Sequence, residues 1–163
     1  MRIRPATRSD VPAILDIYNE AVINTTASYD YEPSTLDARM AWFEAHASAG
    51  YPVYVAEDER QGVVGWSSLS EFRARIGYRF TVEDSVYIAP GCRGRGLGRQ
   101  LLAPLIEQAR LCGYRAIIAA IDADNAASIR LHAGFGFERV AYLKQVGYKF
   151  GRWLDVVYME LLV

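Results

Sequence analysis

Apolar residues at Val11, Ile14, Leu15, Tyr18 and Val22 recur every three or four positions, so the stretch carries one hydrophobic stripe and predicts an amphipathic helix, with Ser9 as its N-cap. Ile3 to Pro5, just ahead, suits a short first strand. Ser34-Thr35-Leu36-Asp37 has the form of a capping box with Asp for the usual Glu, and opens a second helix with Leu36, Met40, Phe43 and Ala47 on one face. Asn24 to Pro33 is the loop between them. From Tyr51 the pattern shortens to strands: Pro52 to Glu57 and Val63 to Leu69, joined by the turn-like Asp58-Glu59-Arg60-Gln61-Gly62, read as a hairpin. After a polar, arginine-rich and aromatic stretch, Ser70 to Phe80, the two-residue period of Val82, Val86 and Ile88 predicts a strand over Thr81 to Ile88.

A longer helix follows, with Leu97, Leu101, Leu105, Ile106 and Ala109 inward and a stop near Gly113. Pro104 falls inside it and predicts a local kink, because proline removes one backbone bond at a cost of roughly 3 kcal/mol. Then come strand Ala116 to Ile121, helix Asn125 to Ala133, strand Phe137 to Leu143, a glycine-rich aromatic loop, and strand Leu154 to Leu161. With no internal repeat or linker in the 163 residues, the order predicts one α/β domain of three layers, helices lying on both faces of a mixed sheet.

Composition narrows the function classes. The chain is 52% hydrophobic with a formal net charge of −1, so it has no field to draw it onto nucleic acid or an anionic membrane, and a phosphate-bearing ligand needs a local site. The two cysteines, Cys92 and Cys112, form no Cys-x-x-Cys pair and have no histidine at metal-ligand spacing, which predicts a reduced, cytoplasmic setting and no metal. Neither an apolar signal core nor a run of about 18 apolar residues occurs, so no membrane association is expected.

That local site has a candidate. Val86-Tyr87-Ile88-Ala89-Pro90-Gly91-Cys92-Arg93-Gly94-Arg95-Gly96-Leu97-Gly98-Arg99 joins a strand to a helix through glycines. Such a junction lets main chain approach a phosphate and presents the free N–H groups of the helix's first turn to it, while Arg93, Arg95 and Arg99 add charge. A nucleotide P-loop is excluded, since no Gly-Lys-Ser or Gly-Lys-Thr occurs, and the dinucleotide fingerprint needs its last glycine one residue beyond Gly98. A glycine-rich turn with solvated arginines is the plain alternative.

The segment Arg93-Gly94-Arg95-Gly96-Leu97-Gly98 resembles the Arg/Gln-x-x-Gly-x-Gly/Ala signature of the GNAT acetyltransferases. Asn125-Ala126-Ala127-Ser128, running on to Gly136-Phe137, is similar to that family's later helix, although capping by Asn125 and an outward Ser128 explain each residue singly. Leu131-His132, Thr81 to Tyr87 and Val146 to Asp155 resemble the subgroup that acetylates phosphinothricin, methionine sulfoximine and methionine sulfone, and the likeness runs from residue 3 to about 161. The resemblance implies the GNAT fold, a central mixed, mostly antiparallel sheet with helices on both faces. It also implies acetyl-CoA as co-substrate, a homodimer, and a small amino-acid-like amine as acceptor.

By that resemblance, Gly94, Gly96, Gly98 and neighbouring Arg93, Arg95, Leu97 and Arg99 hold the pyrophosphate. Val86, Tyr87 and Ile88 offer main chain to the pantetheine arm, and Asn125 and Ser128 complete the cofactor site. The amine must lose a proton before it attacks a thioester, and Glu83, sharing a strand face with Ser85 and Tyr87, is the candidate base. His132 stands where the family commonly has the tyrosine that protonates the leaving thiolate, and both a catalytic and a structural histidine fit. Ile76, Gly77 and Tyr78 are expected at the substrate, with Arg73 or Arg75 for its carboxylate, and Tyr29, Lys149 and Phe150 around the pocket, across a dimer interface. Peptide N-terminal acetylation and a non-catalytic CoA-binding sensor are the competing readings.

Overall fold

The computed structural model describes residues 1–163. Seven strands make one sheet in the order β1-β2-β3-β4-β5-β7-β6, all neighbours antiparallel except β4 and β5. The strands are β1 (Arg2–Pro5), β2 (Val53–Asp58), β3 (Gly62–Glu71), β4 (Thr81–Ile88), β5 (Ala116–Asp122), β6 (Glu138–Lys149) and β7 (Arg152–Leu162). The helices are α1 (Val11–Asn24), α2 (Leu36–Ala49), α3 (Leu97–Leu111) and α4 (Ala126–Ala133).

Strand alternation divides the core. On one face Ile14 and Ile17 of α1 pack on Val53, Val55 and Trp66. On the other, Leu97 and Leu101 of α3 cover Ala56 and Val64, and Leu102, Leu105 and Ile106 join Leu69, Val82, Ile117 and Met159. Ile129 of α4 and Phe137 close that second layer. The expected inward face of α3 is buried throughout, and the three-layer mixed sheet is as the sequence predicts.

Several local expectations are corrected. Ser9 does not cap α1: Arg8–Asp10 form a 3-10 turn, and the Asp10 carboxylate accepts from the Thr7 N–H (2.7 Å) and Thr7 hydroxyl (2.9 Å) while also pairing with Arg4 (2.7 Å). Thr35, not Ser34, caps α2, its hydroxyl accepting from the Ala38 N–H at 3.2 Å. The face of α2 is also rotated. Leu36 and Ala47 are exposed, whereas Arg39 and His46 are buried beside Trp42 and Phe43, because this helix covers a polar recess and an aromatic cluster. α3 runs unbroken through Pro104.

The glycine-rich aromatic loop is a long hairpin. β6 extends to Lys149 and turns at Phe150 (φ 52°) and Gly151 (φ 72°), the paired left-handed conformations of a two-residue hairpin turn. Tyr148 and Trp153 then face each other across the strands with ring centroids 4.9 Å apart. Gly147 is there for close approach: the Tyr29 ring lies so near that no Cβ would fit.

Candidate active site

The site begins where the sheet opens. β4 pairs with β5 only from Thr81 to Glu83, against Ala116 to Ile118. Beyond that point β4 follows β3 and β5 follows β7, so the β5-facing main-chain groups from Ser85 to Ile88 have no strand partner. Backbone polar groups need partners when covered, so this edge is a ready-made template for an extended ligand.

A groove of about 540 Å³ runs along the edge, between the α1 C-terminus and α4. Val86, Tyr87 and Ile88 form its floor, and Arg93, Gly94, Gly96, Gly98 and Arg99 its far end. α3 begins there with Gly96 in the left-handed region (φ 77°), no side-chain cap and no acidic residue in its first turn. Its first N–H groups are therefore left for an anion. Open space surrounds the position of a Cβ on Gly94 and Gly96, and Gly98 lets α3 approach Leu131.

The arginines do not all share this place. Arg93 pairs with Glu20 at 2.9 Å and donates to the Ile88 carbonyl at 3.1 Å, Arg99 stacks over Phe135 at 4.8 Å, and Arg95 is exposed outside the groove. The Leu97 side chain lies in the core, so only its main chain is available. Asn125 caps α4, its Oδ1 accepting from the Ser128 N–H at 3.1 Å, and both residues also line the groove. Capping and lining are thus the same feature.

Glu83 stands at the fork. It lines a small cleft of about 140 Å³ toward α4 and a larger one of about 470 Å³ toward β6 and β7. Its carboxylate accepts no hydrogen bond from the chain, and burial, then the negative charge of Asp84, pushes its pKa up. A carboxyl group so placed takes up a proton more readily than one in water. Ser85 and Tyr87 share its face as expected, and Tyr87 stacks on Trp66 at 4.8 Å.

Asp84 points to the opposite face. His132 Nε2 bonds its Oδ2 at 2.9 Å, and His132 Nδ1 donates to the Ser128 carbonyl at 2.8 Å. Burial lowers the histidine's pKa most, but the Asp84 bond and charge together outweigh it and leave the pKa raised. Both ring nitrogens are thereby fixed, and the imidazole, 4% exposed, forms part of the smaller cleft.

The acceptor-side expectations divide. Tyr29 lines the larger cleft, and its hydroxyl donates to Asp122 at 3.4 Å; burial and then Asp122 push its pKa up to about 12. Lys149 instead turns inward: its Nζ donates to the carbonyls of Val22 (2.6 Å), Thr25 (2.8 Å) and Ser28 (2.7 Å), tying the end of α1 to the loop that walls both groove and cleft. Phe150 is exposed at the hairpin tip. Arg73, Arg75, Ile76, Gly77 and Tyr78 are exposed on the β3–β4 connection and line none of these clefts within one chain, Ile76 being 77% exposed. Sequence reasoning missed Asp122, Leu143, Val156 and Tyr158 in the larger cleft. The alternation of Val156 and Tyr158 was a visible signal; the reach of β6 was not.

No group of three or more His, Cys, Asp or Glu side chains is placed to hold a metal, and no helix is long and apolar enough to cross a membrane. Residues 3–158 match the family described as Acetyltransferase (GNAT) domain. Among curated relatives, an L-methionine sulfoximine/L-methionine sulfone acetyltransferase of Salmonella typhimurium is 48% identical over 161 residues, covering 99% of this chain and 94% of that protein. A phosphinothricin acetyltransferase from Sinorhizobium meliloti, solved in complex with acetyl-CoA, superposes with TM-score 0.97 at 40% identity, covering 99% of this chain and 88% of that one. A ribosomal-protein-alanine N-acetyltransferase structure from Brucella melitensis superposes with TM-score 0.97 at 49% identity over the full length of both chains.

Proposed function

The chain belongs to the GNAT acetyltransferase family, and on that premise we propose that it transfers acetyl from acetyl-CoA to the α-amine of a small amino-acid-like acceptor of the methionine sulfone, methionine sulfoximine or phosphinothricin type. The observation that carries the reading is Glu83, half-buried and free of internal hydrogen bonds, between the small cleft toward α4 and the larger cleft toward β7, where β4 and β5 part.

The groove's residues fit the coenzyme. The uncapped first turn of α3 and the open cradle at Gly94 and Gly96 suit a pyrophosphate, the free edge of Val86 to Ile88 suits an amide-bearing pantetheine arm, and Asn125 and Ser128 line the wall. The coenzyme supplies an acetyl thioester. Glu83 accepts the proton of the acceptor's ammonium, and main-chain N–H groups of β4 meet the developing oxyanion. Attack is direct, because Cys92 is buried among Ala56, Val64 and Leu101 and has no base beside it. The Asp84 bond holds the His132 imidazole at the small cleft and favours its protonated form, which suits a developing thiolate.

Homodimerisation belongs to the same reading. Arg73, Arg75, Ile76, Gly77 and Tyr78 lie outside their own chain's clefts, so they meet acceptor only if a second copy brings them. The exposed apolar residues Ile76 and Phe80 support such a contact. Two unpaired cysteines support a cytoplasmic setting, with neither nucleic acid nor membrane as partner.

The test is release of free CoA from acetyl-CoA with methionine sulfone, methionine sulfoximine or phosphinothricin, in the intact protein, in Glu83→Gln and without amine. Turnover that the variant loses supports substrate class and base together. Turnover only on a peptide with an N-terminal alanine would move the assignment to peptide acetylation, the reading favoured by the Brucella likeness. Acetyl-CoA binding with no turnover on any amine would leave a sensor.

A further inference from the structure

On the Glu83 face of the sheet, under α2, lies a recess of about 340 Å³ that neither groove nor cleft accounts for. Three serines from β3 and β4, Ser68, Ser70 and Ser85, line it opposite α2. Arg39, 6% exposed, enters it from α2. Its guanidinium lies over the Tyr18 ring at 3.9 Å and the Trp42 ring at 4.8 Å. Stacking uses the flat face of a guanidinium and leaves its in-plane N–H donors free. Here Nε is buried without a partner, and Arg39 belongs to none of the chain's ion pairs. Asp30 shares the recess, but its carboxylate accepts from the Tyr18 hydroxyl.

Two residues of the same walls also carry a polar atom without a partner, each sealed from solvent. Trp66 Nε1 is a buried donor with no acceptor. His46 Nδ1 donates to the Trp42 carbonyl at 2.9 Å, which makes its unpartnered Nε2 an acceptor in the neutral ring. The protein's other deeply buried cation shows the usual outcome, since Lys149 meets three carbonyls. Buried cations are ordinarily paired, so a guanidinium that lines a cavity of this size and has no ion-pair partner marks a place for an anionic ligand.

We propose that this recess binds the carboxylate of a small amino acid, with Arg39 as its cation. A planar guanidinium matches a carboxylate in shape as well as charge. The source is either the acceptor itself, seated along Ser85 beside Glu83, or a second amino acid. The first case rests on the acetyl-transfer reading and the second does not.

Two of the three tryptophans, Trp42 and Trp66, line the recess, so fluorescence titration of the full chain reads binding without turnover. Methionine sulfone is compared with its carboxamide, on the intact protein and on Arg39→Met and Arg39→Lys. The acid should bind about ten- to a hundredfold more tightly than the amide, Arg39→Met should abolish that preference, and Arg39→Lys should keep part of it. Equal binding of acid and amide, or a preference that survives Arg39→Met, overturns the site and leaves water in the recess. Ser70→Asp, which adds a negative charge at a half-buried wall position, should likewise abolish the preference for the acid and gives the same test should Arg39→Met fail to fold.

Kinetics then separate the sources. An acid-over-amide preference in kcat/KM that falls with Arg39→Met assigns the carboxylate to the acceptor, whereas Arg39-dependent binding without competition against the acceptor assigns it to a second molecule. Acid binding that needs Arg39 in a protein with no acetyl transfer sustains the recess while the functional reading fails.

Discussion

The groove along β4 and the cleft toward β7 meet at Tyr87, on the same strand face as Glu83, but are made of different material. The groove presents mostly main chain: the open edge from Ser85 to Ile88, the glycine cradle and the uncapped start of α3. The cleft presents side chains drawn from distant parts of the chain, among them Tyr29, Leu143, Val156 and Tyr158, with Lys149 bracing its wall from behind. Main-chain donors suit a constant ligand whatever the neighbouring side chains. Side-chain walls can be exchanged singly, so the cleft is where acceptor choice resides.

The largest expected effect removes the carboxylate that stands beside their meeting point. Glu83→Gln should lower kcat/KM about 10²- to 10⁴-fold with acetyl-CoA affinity unchanged, measured by CoA release and by equilibrium binding. Because burial raises the Glu83 pKa, activity should rise with pH through a midpoint above 4.5, and the variant should lose that limb. Lys149→Met tests the brace. Three buried carbonyls lose a charged donor, so thermal denaturation should show a loss of about 2–4 kcal/mol, with a higher KM for the amine in the folded protein.

A crossed pair of glycine variants sharpens the division. Gly147→Ala pushes on the Tyr29 ring and should raise KM for the amine about tenfold while leaving acetyl-CoA affinity in place, consistent with a packing conflict of about 1–2 kcal/mol. Gly96→Ala has room for its methyl but strains a left-handed backbone by about 1–2 kcal/mol, and should weaken acetyl-CoA instead. Equal effects of both variants on both substrates would erase the distinction between regions.

The smallest effect concerns the pair behind the groove. The raised His132 pKa means that Asp84 and His132 contribute stability fully below 6.5, the ordinary histidine value, and lose it as pH rises through the folded-state value. The melting temperature should therefore fall toward alkaline pH, and Asp84→Asn should flatten that slope.

The groove was largely legible in the sequence because its parts are contiguous: a strand with a two-residue period runs directly into a glycine-rich helix start, and both constraints act on neighbouring backbone. Glu83 followed from alternation along the same strand. Arg39 did not, since the stripe read on α2 assumed an oily partner surface, whereas three aromatic rings accept a guanidinium there. Lys149 was placed near the pocket by position and turned out to face backward, because three free carbonyls at the end of α1 outcompete solvent for its ammonium. The hairpin from Glu138 to Leu162 was hidden by its own glycines, which read as loop although Gly147 serves packing and Gly151 serves the turn.

The short contact between β4 and β5 has a mechanical side. Three residue pairs hinge two plates, β1 to β4 and β5 to β7, and on one face of the sheet α3 and α4 share the core that spans the joint. A molecule stretched along the free edge of β4 takes the position of an absent strand, and so works as a clasp between the plates. Its binding then stabilises the folded sheet as a whole, because only the folded chain presents that edge.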